Sequence, residues 1–488
     1  MKLRFLIATI FLASLAAFAG NPKYKKPDVE TPQNWQSPVP WQPANPLDAL
    51  PKDAWWKLFN DPELNQYEER AMANNQTLKA ATARLTQARA FARVTASGLY
   101  PELDAGANAS RQRLSANRPT NGASIVPAAV SQNVFNIPFT LNYEVDLFGR
   151  VRHSLEAANA SLQASAADLE NVRLLVSSEL AADYFQLREL DAELAVVQKA
   201  IDFEKQGLTL VNNRHQGGAV SGLDVAQQQT VLDSSYTQLA LLQQQRAQFE
   251  HAIAVLQGMP ASGFNAPVRA LDVLPPAVPL ALPSELLQRR PDIAIAEREV
   301  AAANAQIGVA RSAFYPSIFL GGTGGFQSRD IAKLVDAPSA IWSIGLSVLE
   351  PVFAGGRNRA RLEGAKAVYD ENVANYRETS LVAFQQVEDA LSGLTALSSA
   401  SDSQQRAVTD AGRSLTLANA RYTGGLVTYL DVITAQEQVL SNERLAAQIQ
   451  GQRLVTSVLL VKALGGGWDS SSIAAVGVKP SLKQAIQQ

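Results

Sequence analysis

Between Arg150 and Gln206 apolar side chains return every seven residues, at Leu155, Leu162, Leu169, Val176, Leu190 and Val197. A second row, Leu180, Leu187, Leu194, Ile201 and Leu208, keeps the same period. Such a repeat lays an apolar seam along a helix that a partner helix must cover. The stretch holds neither Pro nor Gly and is rich in Ala, Leu, Gln and Glu, so nothing interrupts it. A helix of about 57 residues, rising about 1.5 Å each, would run to about 85 Å, far beyond a globular core. Helices of that length need neighbours along their whole course. The pattern predicts an elongated helical body.

A different period follows Pro-containing segments. Ile137, Phe139, Leu141, Tyr143, Val145 and Leu147 alternate with Pro138, Thr140, Asn142, Glu144 and Asp146. Period-two alternation is a two-faced strand, placed over 134–148, with 103–115 as its hairpin partner. Trp342, Ile344, Leu346 and Val348 mark a second strand over 339–353, paired with 317–329, a segment that carries four glycines. On the strand pattern alone, a small soluble sheet with one buried face stays open. Strands of this length also match the ~9–11 residues that cross a bilayer. Four strands cannot close a barrel, whereas several chains giving four each would close one and leave no edge. Glu144 and Asp146, on the polar strand face, would then line the barrel lumen. There they would either be merely solvated or weakly disfavour anions.

The chain contains itself twice. Arg214-His-Gln-Gly-Gly-Ala-Val-Ser-Gly-Leu-Asp-Val225 lies against Arg421-Tyr-Thr-Gly-Gly-Leu-Val-Thr-Tyr-Leu-Asp-Val432, and seven of the twelve positions agree without a gap. The offset is 421 − 214 = 207, and it also pairs Gly258 with Gly465 and Arg150/Arg152 with Arg357/Arg359. Tyr100-Pro101 recurs as Tyr315-Pro316, at 315 − 100 = 215, so loops of unequal length separate the copies. One supersecondary block is therefore used twice. The expected division is 1–19 as a signal peptide, 20–54 as an extended Pro/Trp-rich strap, 55–258 as the first repeat, 259–283 as a Pro-rich linker, 284–465 as the second repeat and 466–488 as a tail. Gly217-Gly218 and Gly424-Gly425 fall where each repeat must reverse between two long helices. Such a reversal asks for φ > 0 and close backbone approach.

Composition narrows the chemistry. Lys2 and Arg4, the apolar run from Phe5 to Ala13, and Ala17-Phe18-Ala19 have the order of a cleavable secretory signal. The chain has no Cys, and its three His, at 153, 215 and 251, lack metal-ligand spacing. A formal net charge of −2 provides no footprint for nucleic acid. No GxSxG, HExxH or P-loop is present, so neither an enzyme nor a cofactor is expected. A periplasmic adaptor would share the signal and the coiled coil, but not paired amphipathic strands in two copies.

Several separated motifs carry a family resemblance. They are Gly20-Asn-Pro-Lys-Tyr-Lys-Lys-Pro27, Trp55-Trp-Lys-Leu-Phe-Asn-Asp-Pro-Glu-Leu64, Leu282-Pro-Ser-Glu-Leu-Leu-Gln-Arg-Arg-Pro-Asp-Ile293, Ala310-Arg-Ser-Ala-Phe-Tyr-Pro-Ser317 and the two Arg-x-x-x-Gly-x-Val-x-x-Leu-Asp-Val segments. Together they resemble the TolC-like outer-membrane efflux factors of the NodT/OprM-type branch over nearly the whole mature chain. The resemblance implies a mixed α/β membrane protein, a homotrimer with a twelve-stranded outer-membrane β-barrel on a long periplasmic α-barrel. It implies a passive exit duct joined to a periplasmic adaptor and an inner-membrane transporter. It makes Gly217, Gly218, Gly424 and Gly425 the periplasmic tips where the adaptor docks. It places Asp224, Asp431 and Tyr422 at the periplasmic gate, with Asp431 as a candidate acidic ring around the threefold axis. The bland alternative, that each Asp only caps its helix, stays open. In the TolC branch an Asp, an Arg and a Tyr lock the entrance; the Arg position here is Val427, so the lock must differ. The lipobox Cys usual in this branch is missing from Ala16-Ala17-Phe18-Ala19-Gly20.

Overall fold

The computed structural model describes residues 24–33, 35–36, 54–117, 128–276, 278 and 283–479. The expected signal peptide at 1–19, much of the strap, parts of the linker and the tail beyond 479 lie outside the described residues.

The first repeat opens with a 3-10 turn, Trp55–Phe59, and helices α1 (Pro62–Asn74) and α2 (Gln76–Ser97). The Asp61 carboxylate accepts from the Glu63 and Leu64 amides and Pro62 follows it, which starts α1; Asn75 does the same for α2. Strands β1 (Glu102–Ala105), β2 (Asn108–Leu114) and β3 (Val130–Glu144) come next, then α3 (Arg150–Gln216) and α4 (Gly222–Leu256). In the second repeat α5 (Pro283–Arg289) and α6 (Pro291–Ser312) lead to β4 (Ser317–Ser328) and β5 (Ala340–Leu349). The long pair α7 (Arg357–Thr423) and α8 (Tyr429–Ala463) and a last turn α9 (Ser471–Ala474) complete the chain. No described helix is long and apolar enough to cross a membrane.

The duplication holds in conformation. Helices α3 and α7 both have 67 residues, and α4 and α8 both have 35. At about 1.5 Å per residue the longer pair reaches about 100 Å. The left-handed glycines also pair at the offset of 207: Gly149 with Gly356 (φ 83° and 82°), Gly218 with Gly425 (73° and 71°) and Gly258 with Gly465 (71° and 89°).

All strands join one antiparallel sheet, in the order β1/β2, β3, β4, β5. The hairpins are as expected, and the β3–β4 pairing welds the copies together. Two boundaries move. The second strand runs Val130–Glu144 rather than 134–148, because Asp146 is taken up by the next helix, and the fourth ends at Leu349, before Pro351. The first strand is also split. Gly106 N–H donates to Pro138 O at 2.9 Å, but Pro138 has no N–H to return, so the ladder lapses between β1 and β2 without a change of register. Register sorts the faces: Leu141, Gly322 and Ile344 align on one side, as do Phe139, Gly324 and Trp342. Trp342, Ile344, Leu346 and Val348 are 60–81% exposed in the single chain. That apolar face and both unpaired sheet edges await further chains and a non-aqueous surrounding.

The core lies at the waist of the helical body, where the copies meet. Trp55, Trp56, Phe59, Leu64 and Tyr67 pack with Leu180, Tyr184 and Phe185 of α3, Tyr376, Val387 and Leu391 of α7, and Leu454, Val458 and Val461 of α8. The seven-residue seam is buried as its period predicts, from Leu155 and Leu162 through Val176 and Leu190 to Val197 and Ile201. An ionic cluster fixes the linker to the first repeat. Buried Arg188 bonds Asp191 and the Pro267 carbonyl, both at 2.7 Å, and Arg246 reaches Asp191 at 2.6 Å and the Ala266 carbonyl at 2.7 Å. The described part of the strap is irregular, with Trp35 against Phe384 of the second repeat.

Candidate functional site

Each long hairpin turns through two glycines. At the first tip Gly218 N–H donates to His215 O and Ala219 N–H to Arg214 O; at the second, Gly425 and Leu426 donate to Tyr422 O and Arg421 O. These paired bonds form a Schellman stop, and the left-handed residue inside each must be glycine for conformational reasons. Around Gly218 and Gly425 the space is open, so shape does not require them. Gly217 and Gly424 have ordinary φ values of −77° and −76°. Only the second glycine of each pair therefore needs φ > 0.

The restarting helices place Asp224 and Asp431 at the same step. Asp224 closes a capping box: its carboxylate accepts from Ser221 N and Oγ, both at 3.0 Å, while Ser221 Oγ accepts from Leu223 N. Asp431 is exposed, and its carboxylate accepts from Thr428 Oγ1 at 2.9 Å. Both carboxylates thus support a helix start, and negative charge there is favoured by the helix dipole.

Tyr422 lies just inside the second tip. It is buried with Tyr429, Val432, Ile433 and Val211, and its hydroxyl meets no partner among the described residues. No bond joins it to Asp224 among the described residues. Instead the Arg214 guanidinium sits 4.6 Å from the centre of its ring, a cation–π contact that ties the first hairpin to the second. Arg214 belongs to the repeated motif, but periodicity gives no sign that it crosses between copies.

Two acids interrupt the apolar seam of α3, Glu204 toward the tips and Asp183 beside the waist core. In the row that contains Leu155 and Val197, positions 183 and 204 hold Asp and Glu. Glu204 is 2% exposed. One oxygen accepts from Ser235 Oγ at 3.0 Å, while Oε2 and Gln228 Oε1 are buried without a partner among the described residues, and the Tyr429 hydroxyl lies beside Gln436. Burial, with Glu437 adding to it and the Ser235 bond opposing it, pushes the Glu204 carboxyl up to about 7. Burial and neighbouring Glu179 raise Asp183 to about 6. Interruptions of the seam by acids were the available signal.

At the other end, Glu144 and Asp146 lie where β3 gives way to α3. Arg150 grips Glu144 with Nε at 2.8 Å and Nη2 at 2.6 Å. Asp146 accepts from Val151 N, Arg152 N and Arg152 Nε at 3.1, 2.9 and 3.1 Å. Both carboxylates are thus neutralised by their own helix start. No group of three or more His, Cys, Asp or Glu suited to a metal occurs among the described residues.

The description of the outer membrane efflux protein family matches residues 68–259 and 282–466, one span for each repeat. The chain belongs to that family. It is 35% identical over 445 residues to the pyoverdine export outer membrane protein OpmQ of Pseudomonas putida, covering 91% of this chain and 93% of that one. Its fold superposes on the Campylobacter jejuni CmeC outer membrane channel with a TM-score of 0.84 at 26% identity, over 96% and 97% of the two chains. For the open state of the Neisseria gonorrhoeae MtrE channel the TM-score is 0.81 at 29% identity, over 92% and 99%. This outer membrane efflux protein is the outer-membrane channel component of an efflux pump and works with a periplasmic adaptor and an inner-membrane transporter. Three copies bring their strands into one twelve-stranded barrel above a long periplasmic helical tube. That assembly covers the sheet edges and gives the apolar face a lipid surrounding.

Proposed function

We propose that the efflux protein is a passive duct without catalysis, and that its tips serve both as entrance gate and as adaptor platform. The supporting observation is the apolar character of the tips: Leu223, Leu426 and Leu430 are 65%, 73% and 50% exposed beside the two Schellman turns. An adaptor hairpin laid on Gly217-Gly218 and Gly424-Gly425 would cover them. Of the two acids, Asp431 is the better candidate for a ring at the entrance. It is exposed and holds one side-chain bond, whereas Asp224 is half-buried and committed to its capping box. The inter-hairpin tie is Arg214 over Tyr422, in the place left by Val427. In the closed barrel Glu144 and Asp146 would lie at the base of the lumen, where Arg150 and Arg152 remove most of their influence on permeants.

Single-channel recording in planar bilayers tests the gate. Wild type should show small currents blocked by divalent cations on the periplasmic side. Asp431→Ala should lose the block, and Arg214→Ala should open more often. Unchanged block in Asp431→Ala returns that residue to helix capping alone. For docking, Leu426→Asp should abolish adaptor cross-linking while leaving a heat-resistant trimer; full cross-linking would move the platform elsewhere.

A further inference from the structure

The two copies end their second long helix with the same turn but not with the same residues. Gly258 and Met259 donate to Val255 O and Ala254 O, and Gly465 and Gly466 donate to Lys462 O and Val461 O, so the turn repeats bond for bond. At the offset of 207, Gly467 then stands for Pro260 and Trp468 for Ala261. The turn needs neither residue, because the first copy makes it without them. What they add is donors. Pro260 has no N–H, whereas the Gly467 amide has one, and it meets no acceptor among the described residues. The Trp468 indole N–H is also buried without a partner there. Both residues lie in the wall of a cavity of about 280 Å³, bounded by the end of α8, by α3 and by the 3-10 turn Trp55–Phe59. Trp56, in the same wall, is 4% exposed, and its indole N–H has no partner among the described residues either. Trp55 marks the contrast, for its N–H is met by Ser177 Oγ at 3.0 Å.

We infer that this cavity binds an uncharged molecule that joins an apolar body to a carbonyl or ether oxygen. The oxygen follows from the donors: an indole or amide N–H can only donate, and leaving one unmatched in the interior is costly. The apolar body follows from Leu174 and the three indoles in the wall. The lack of charge follows from the ions beside them. An anion would face the carboxylates of Glu170 and Asp469, with Arg173 already bonded to Glu170 at 3.0 Å, and a cation would face the N–H groups. A bound molecule would also bridge the copies, since Trp55 and Trp56 open the first and Gly467 and Trp468 follow the last long helix of the second. The inference goes beyond the duct reading and is tested without transport.

Ligand-observed fluorine NMR on the full-length trimer in lipid nanodiscs, read against empty discs, is the test. The probe is N-(para-fluorophenyl)pyrrolidone, and N-(para-fluorophenyl)pyrrolidine keeps its body but lacks the carbonyl. Wild type should bind the pyrrolidone saturably and the pyrrolidine about tenfold more weakly or worse. Trp56→Phe and Trp468→Phe each remove one N–H and keep a ring. Each should weaken the pyrrolidone about fivefold and leave the pyrrolidine as it was, a split that a folding defect cannot imitate. Ser472→Phe, which fills the cavity from an exposed position in its wall, should abolish binding of both while a heat-resistant trimer remains. Wild type without saturable binding of the pyrrolidone overturns the inference, and water then holds the N–H groups. Equal affinity for the two probes also overturns it, as does pyrrolidone binding untouched by both tryptophan variants.

Discussion

Replacing Glu204 by Gln isolates a proton held between three helices. Glu204 of α3 faces α4, where Ser235 Oγ bonds its carboxylate and Gln228 Nε2 its backbone carbonyl, and it lies near Tyr429 and Glu437 of α8. Its pKa rises from 4.5 to about 7. The folded state therefore binds the proton more tightly than an opened state. The stabilisation is complete below pH 4.5 and is lost as pH rises through 7. Discounted for solvent screening, the shift amounts to about 1–2 kcal/mol, roughly tenfold in a local opening equilibrium. Gln keeps the shape and an acceptor for Ser235, and adds N–H donors beside Gln228 Oε1, which has no partner among the described residues. Hydrogen exchange of the tip-proximal halves of α3, α4 and α8, corrected for intrinsic rates, should show wild-type protection falling between pH 5 and pH 8. The variant should stay level. Parallel profiles in the two proteins would refute the reasoning, because the pH dependence would then belong to other groups.

Two glycines separate conformation from space. Gly425→Ala meets no atom and should cost about 1–2 kcal/mol, the price of a left-handed non-glycine residue. An added Cβ at Gly465 would press on the Arg289 carbonyl, so Gly465→Ala should lower the heat stability of the trimer well beyond Gly425→Ala; equal losses on a temperature-gradient gel would refute the distinction. Asp191→Ala leaves buried Arg188 with Glu63 at 3.6 Å as its remaining ion pair. It should destabilise by about 3–5 kcal/mol, and a change within 1 kcal/mol, read in the same assay, would show that the linker cluster is dispensable.

Much of the architecture could be read from period. The heptads of α3 and the alternation of β3 needed no tertiary information, since a 3.5-residue or two-residue repeat is meaningful only if one face is covered. The seven matched positions around each glycine pair announced a duplication that the equal helix lengths then repeated. Roles of charged residues were harder to read. Glu144 and Asp146 alternate like lumen-facing residues, yet Arg150 and Arg152 hold them at the helix start, because a carboxylate next to a free helix N-terminus finds donors that no pattern of polarity records. Tyr422 is buried beneath Arg214, a contact between residues 208 positions apart (422 − 214).

By itself the sequence determined the kinds of element and their order, the twofold use of one block and, through separated motifs, the family. These depend on local backbone preference and on which face each segment must hide. Only the tertiary structure decided which charges are spent and which are free. Asp146 is consumed by the helix it precedes, whereas Arg357 and Arg361 in the other copy form no ion pair among the described residues. Hydrogen bonds and ion pairs depend on distances of a few ångströms between segments that lie far apart in the chain, and those distances exist only after the two copies have packed.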